Sequence, residues 1–188
     1  MRLRCLVYHT VRFKMLKQQD ISQSIDAFEK EMQSAIQVAR ESTLPDPITF
    51  SFNTSLLTTS KIEKLTGKLP TGHKKEDKDA EFVYVFSLAE SNRVELAEIL
   101  SAFQSAREWQ TSEDYEGKKN LCRPNPEHNS TTILYVGRSY KPRERLKQHL
   151  TASFSGTYAI HFATWASELE AQVDFHIYRY SELGNRAV

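Results

Sequence analysis

Apolar positions change rhythm several times along this chain. Ile21, Ile25, Phe28, Met32, Ala35 and Ala39 recur at steps of four and three, a heptad-like stripe that predicts a helix over about 20–40. At 1.5 Å per residue it would run about 30 Å. Asp20 followed by Gln23 resembles a capping box at its start. Leu44-Pro45-Asp46-Pro47 stops it. Three heptads are short for an independent coiled coil, so the stripe is expected to pack on another part of this chain. A partner helix or a homodimer through the 20–40 helix is the alternative.

The next segments read more briefly. Residues 2–13 alternate loosely, as a strand or an arm. Ile48, Phe50 and Phe52 alternate with polar residues, predicting a short strand. Ser60 to Leu65 reads as a small helix ended by Gly67. The polar, Gly- and Pro-punctuated segment 67–80 reads as a linker or mobile loop. It sets a boundary between a mainly helical N-terminal extension, 1–80, and a domain at 81–188.

In that second part Phe82–Leu88 is an apolar, β-branched and aromatic run, a strand. Asn92 reads as the N-cap of a helix over Val94–Trp109, with Leu96, Ile99, Leu100, Phe103 and Ala106 on one face. Residues 110–130 are polar and contain Pro124 and Pro126, an exposed connection. Thr131–Gly137 is a second strand ending at its glycine. Pro142, tolerated in a first turn, opens a helix through His149. Tyr158–Trp165 reads as a short helix, and Phe162 and Trp165 as core. Ala171–Tyr180 is a third strand in which Val173, Phe175 and Ile177 alternate with polar residues. By this pattern the second part is a small α/β unit with long insertions.

Composition narrows the class. At 188 residues, 39% hydrophobic and 26% charged, the chain suits a soluble globular protein. No run approaches a membrane span, and the first residues lack a secretory core. Cys5 and Cys122 lie far apart without metal-ligand spacing, so free thiols and a cytoplasmic address are expected. Net charge is +1, so the molecule is no polycation. Charge is concentrated locally. From Arg138 to His149, Arg138, Lys141, Arg143, Arg145 and Lys147 stand against Glu144 alone. Such a patch suits phosphates; an ordinary solvated helix face is the plainer reading.

Arg145 and His149 lie four residues apart, on one helix face. Tyr135-Val136-Gly137 ends the preceding strand, and Phe82-Val83-Tyr84 occupies the strand before it. With Arg145 ten residues after Tyr135, the stretch 81–180 resembles the GIY-YIG nuclease superfamily. Tyr135-Val136-Gly137 matches the second motif, and Phe82-Val83-Tyr84 stands where Gly-Ile-Tyr would be. The resemblance implies an α+β fold, a small three-stranded antiparallel sheet flanked by helices. It also implies hydrolysis of DNA phosphodiester bonds with a divalent metal, Mg²⁺ or Mn²⁺.

The resemblance carries roles for individual residues. Tyr84 would take the proton of the attacking water, and Tyr135 would orient groups beside it. Arg145 would hold the phosphate with its permanently charged fork. His149 would shuttle a proton or bind phosphate. Gly137 would permit close backbone approach or a turn. Arg138, Lys141, Arg143 and Lys147 would bind nucleic acid. His161 and His176 have no motif support and read as structural.

The pattern departs from the family in three places. Phe82 replaces the first-motif glycine. Fifty residues separate Tyr84 from Tyr135, an insertion that includes a whole helix and costs little in chain entropy. The family's metal-binding glutamate lies on a helix after the third strand, but here Val188 follows soon after Tyr180. Glu182 comes too early for that role, so no metal ligand is assigned. The expectation is a truncated or degenerate member, weak or inactive as it stands. A catalytically inactive nucleic-acid-binding module and a protein-interaction protein using the 20–40 helix are the alternatives.

Overall fold

The computed structural model describes residues 17–41, 43–72, 77, 80–124, 131–152 and 156–180. Residues 2–13 and 181–188, including Glu182 and any helix after the last strand, lie outside the described residues. The chain divides into two compact units, Met1–Thr43 and Leu44–Val188.

The first unit contains α1, Gln18–Glu41. Asp20 is its third residue rather than its N-cap, and its carboxylate accepts a hydrogen bond from the Lys17 N–H at 3.0 Å. It thus satisfies a free donor of the first turn from inside the helix. The apolar stripe is not buried as expected. Ile21 is 43% exposed, Ile25 53%, Phe28 62% and Met32 46%.

The second unit is α+β, built on a four-stranded sheet in the order β1-β4-β2-β3. The strands are β1 Ile48–Asn53, β2 Glu81–Leu88, β3 Ile133–Ser139 and β4 Gln172–Tyr180, and every pairing is antiparallel. The expected three strands are β2, β3 and β4; the fourth is β1, which the sequence reading placed in the N-terminal extension. Phe50 stands opposite Phe175 and Phe52 opposite Val173. All four are buried, each worth about 1.5–3 kcal/mol in removed apolar surface. The opposite face of that pair is polar, with Thr49 bonded to His176 at 3.1 Å and Ser51 donating to Asp174.

One sheet face therefore carries the core: Phe50 and Phe52, Phe82, Tyr84 and Phe86, Val173, Phe175 and Ile177. Helix α2, Thr59–Thr66, is capped by the Thr58 hydroxyl and ends at Gly67. It packs on α4, Pro142–Leu150. The segment after α2 is partly anchored: Leu69 is buried, and Asp77 pairs with Arg179 at 3.2 Å. Residues 73–76, 78 and 79 of the expected linker lie outside the described residues.

Two loop expectations change. Asn92 does not cap α3, Leu96–Thr111, whose N-cap position is Glu95. Its amide instead accepts from the Gln172 N–H at 3.1 Å and donates to the Val94 carbonyl at 2.7 Å, tying the turn to β4. The connection after α3 is not wholly exposed. Leu121 is buried and bridges Ala159, while the Gln110 side chain accepts from the Leu121 N–H at 3.0 Å. Asn120 is buried beside it; residues 125–130 lie outside the described residues. The last helix, α5, is short, Phe162–Trp165. No described helix is long and apolar enough to cross a membrane.

Candidate active site

Strand register places the two motif tyrosines. Tyr84 pairs with Gly137, and Phe86 with Tyr135, so Tyr84 and Tyr135 share the core face as diagonal neighbours. Their rings lie 6.1 Å apart and nearly parallel, at 15°. Gly137 is not a strand-ending turn residue. It sits inside β3, and its missing side chain is the space Tyr84 occupies. A Cβ there would overlap the Tyr84 hydroxyl and come within 2.7 Å of Tyr135 Cε1.

Helix α4 lies over this face. Pro142 begins it, and Leu146 and Leu150 are buried, which turns Arg145 and His149 toward the tyrosines. Arg145 Nε donates to Tyr84 Oη at 3.0 Å, and Nη2 to Tyr135 Oη at 3.4 Å. Nη2 also donates to the Tyr158 carbonyl at 2.8 Å, and Nη1 to Gln148 Oε1 at 2.9 Å. The guanidinium is thus held in one orientation by partners on every nitrogen.

His149 is fully buried, at 0% exposure. The Ile160 N–H donates to its Nδ1 at 3.2 Å. A neutral imidazole has one N–H, so Nε2 carries the proton and donates to Tyr84 Oη, 2.9 Å away. Burial, reinforced by the positive charge of Arg145 and by His161, holds His149 well below its ordinary pKa. It is a neutral donor that fixes Tyr84. Like Tyr84, at 2% exposure, the imidazole has no solvent-facing surface in this conformation.

Tyr84 Oη thereby accepts two N–H bonds, from Arg145 and His149. Burial raises its pKa above the ordinary phenol value; the charge of Arg145 opposes this, and Tyr135 adds to it. Burial lowers Arg145, but the two tyrosine oxygens outweigh it and the net shift is upward, so the guanidinium stays charged.

Arg145 opens on its outer side into a groove of about 300 Å³ formed with Ser139, Tyr140, Lys141, Glu144 and Gln148. The four basic residues expected to bind nucleic acid separate here. Lys141 lines the groove and pairs with Glu144 at 3.9 Å. Lys147 is exposed on α4. Arg143 is turned away to fasten α2, donating to the Leu69 carbonyl at 3.0 and 2.6 Å and to the Gly67 carbonyl at 3.4 Å. Arg138 pairs in register with Val83, on the face opposite Tyr84, and forms an ion pair with Glu81 at 3.3 Å.

Residues that sequence reasoning missed act mainly through backbone. The Tyr158 carbonyl and Ile160 N–H hold Arg145 and His149, and a backbone contact leaves no residue-type signal. His161 is buried in a left-handed conformation at φ 47°. Its ring nitrogens face the carbonyls of Thr151 at 3.3 Å and Thr157 at 3.1 Å. That fastens the segment carrying Tyr158 and Ile160 to the end of α4. Behind Tyr135 a second cavity, about 250 Å³, is lined mainly by apolar residues such as Ile99, Phe103, Leu134 and Trp165. Cys122 lines it too; burial pushes that thiol up to about 11, which makes it a poor nucleophile.

The described residues around Arg145 do not fit a divalent cation. Hard cations take several oxygen ligands, usually carboxylates. The groove offers one carboxylate, Glu144, already paired with Lys141 and next to the Arg145 charge. Among the described residues no group of three His, Cys, Asp or Glu side chains gathers to hold a metal. Comparisons with protein-family models, with curated proteins and with solved structures found no match.

Proposed function

We propose that the second unit is a phosphodiester hydrolase of GIY-YIG type that acts on DNA. The observation that carries this reading is one guanidinium bonded to both motif tyrosines at the wall of an open groove. A phosphate in that groove would meet the second Nη1 hydrogen of Arg145, the one these bonds leave over. Hydrolysis forms a bond from water oxygen to phosphorus and breaks one to the leaving oxygen, so negative charge builds on the phosphoryl oxygens. A preorganised cation beside them stabilises that charge.

Tyr84 is the proton acceptor in this reading, and because it is only 2% exposed the attacking water must reach its oxygen through a local opening beside Arg145. Tyr84 enters as a phenolate, takes the water's proton as the new bond forms, and leaves as a phenol; the leaving oxygen takes its proton from solvent. Burial opposes the phenolate, as does Tyr135, while the charge and N–H of Arg145 favour it; the N–H of His149, bonded to the same oxygen, favours it too. Such a base is scarce at neutral pH but strong. His149 acts through Tyr84 as a positioning residue.

The test is nicking of supercoiled plasmid in Mg²⁺ or Mn²⁺. Cleavage should fall about 100- to 1000-fold in Arg145→Ala and rise with pH through the alkaline range, following Tyr84. Wild-type cleavage that Arg145→Ala leaves unchanged sinks the proposal. A second reading, DNA binding without turnover, draws on Lys141 at the groove and on Lys147, exposed on α4. It expects salt-sensitive binding that weakens in Lys141→Ala and Lys147→Ala with no nicking by any form.

A further inference from the structure

We propose that α1 is a dimerisation element, pairing in parallel with α1 of a second copy of this chain as a short coiled coil. The helix has 24 residues. Its exposed Ile21, Ile25, Phe28 and Met32 continue through Ala35 and Ala39 at alternating steps of four and three. That mean period of 3.5 keeps one seam facing a partner helix along its length.

The flanks of the seam fit a second copy of this chain and set its direction. With Ile25, Met32 and Ala39 at a and Ile21, Phe28 and Ala35 at d, the e residues are Ser22, Glu29 and Ile36. The g residues are Ser24, Glu31 and Val38. In a parallel pair each g residue meets the e residue of the partner's next heptad. Ser24 then faces Glu29, and Glu31 faces Ile36, with no like charges opposed. The antiparallel pair of full overlap, stacking Ile21 on Ala39, brings Glu29 onto Glu29 and Glu31 onto Glu31, which repel, and a stagger that separates them gives up two of the six apolar layers. An identical copy is therefore accommodated in the parallel direction.

The apolar flanks point the same way. Ile36 and Val38 are 46% and 47% exposed, and they flank the stretch where the seam itself narrows to Ala35 and Ala39. Alanines let two helices approach closely. In a parallel pair of identical chains, Ile36 and Val38 of both copies lie beside those same thin layers and close over them. Lys30, Gln23 and Gln37 fall at f, on the far side in solvent. A parallel pair joins both second units to the same end of the coil. Under the reading above, each particle then holds two Arg145 sites; the dimer itself does not depend on that reading.

The full-length protein in a Cys5→Ser, Cys122→Ala background tests this. Sedimentation equilibrium should show a reversible monomer–dimer equilibrium in the micromolar range. Phe28→Glu should shift it to monomer, and Gln33→Glu, on the outer face, should not. Under mild oxidation Ile25→Cys should form a disulfide-linked dimer and Glu29→Cys should not. A monomer at every concentration, a dimer indifferent to Phe28→Glu, or cross-linking by Glu29→Cys in place of Ile25→Cys overturns the proposal.

Discussion

Helices α1 and α4 reverse what their sequences advertise. Gln18–Glu41 carries a long apolar stripe and leaves it exposed. Pro142–Leu150, with sequence PRERLKQHL, looks like a surface helix, yet it buries Leu146, His149 and Leu150 and holds Arg145 against two tyrosines. Amphipathicity says that a helix can bury a face. It does not say what surface is offered to it. For α4 the surface is the aromatic face of β2 and β3, with phenol oxygens that match its charged and polar groups. Burial of a guanidinium and an imidazole becomes tolerable there because each finds hydrogen-bond partners.

The sharpest way to break that match is through the sheet. Gly137→Ala should cost about 1–3 kcal/mol by overpacking, read as a lower urea midpoint. Tyr84 should be displaced as well, so any nicking activity falls with it. An unchanged midpoint would mean that Gly137 is not the space Tyr84 needs.

Next comes the buried imidazole. His149→Gln should cost about 1–3 kcal/mol at neutral pH, because the Ile160 N–H or the Tyr84 hydroxyl loses its partner. The sign of its pH dependence follows from the depressed pKa of His149 in the fold. Below about 6.5 the unfolded chain binds the proton first, so stability falls as pH drops from there. Removing His149 should flatten that acid slope in a thermal melt. His161, also lowered, mainly by burial, contributes to the same slope and should leave part of it in place.

A smaller effect separates neighbours on α4. Arg143→Ala should lose about 1–2 kcal/mol of stability with its bonds to the Leu69 and Gly67 carbonyls and leave DNA affinity unchanged. Lys147→Ala should do the opposite, lowering affinity and its salt dependence with no shift in the melt. The smallest effect belongs to α1. Phe28→Glu should leave the second unit's unfolding free energy within about 0.5 kcal/mol, as exposed substitutions do. If it unfolds that unit, the contrast between the two helices is false.

Much of the fold was legible in local pattern. Val173, Phe175 and Ile177 announce β4, Phe82 to Leu88 announces β2, and Pro45 and Pro47 end α1 where expected. The strand at Ile48–Asn53 was also legible as an element. Its membership in the sheet was not, because Phe50 meets Phe175 across more than a hundred residues and nothing local encodes that partner. Asn92 shows the same limit. Its residue type fits a helix cap, and a long-range bond to Gln172 takes it instead.

For the site, sequence determined which side chains share a helix face or a strand. Helical and strand periods depend only on neighbouring residues, so Arg145 with His149, and the tyrosines on their strands, follow from spacing. Tertiary structure decided what each of them does. Pairing Tyr84 with Gly137 makes room for the phenol. The Ile160 N–H selects the tautomer of His149 and makes it a donor to Tyr84. Packing sends Arg143 to the Leu69 carbonyl and Arg138 to the far face. Those choices rest on backbone groups and cross-strand register, which are the same chemistry at every residue and leave no mark on the order of side chains along the chain.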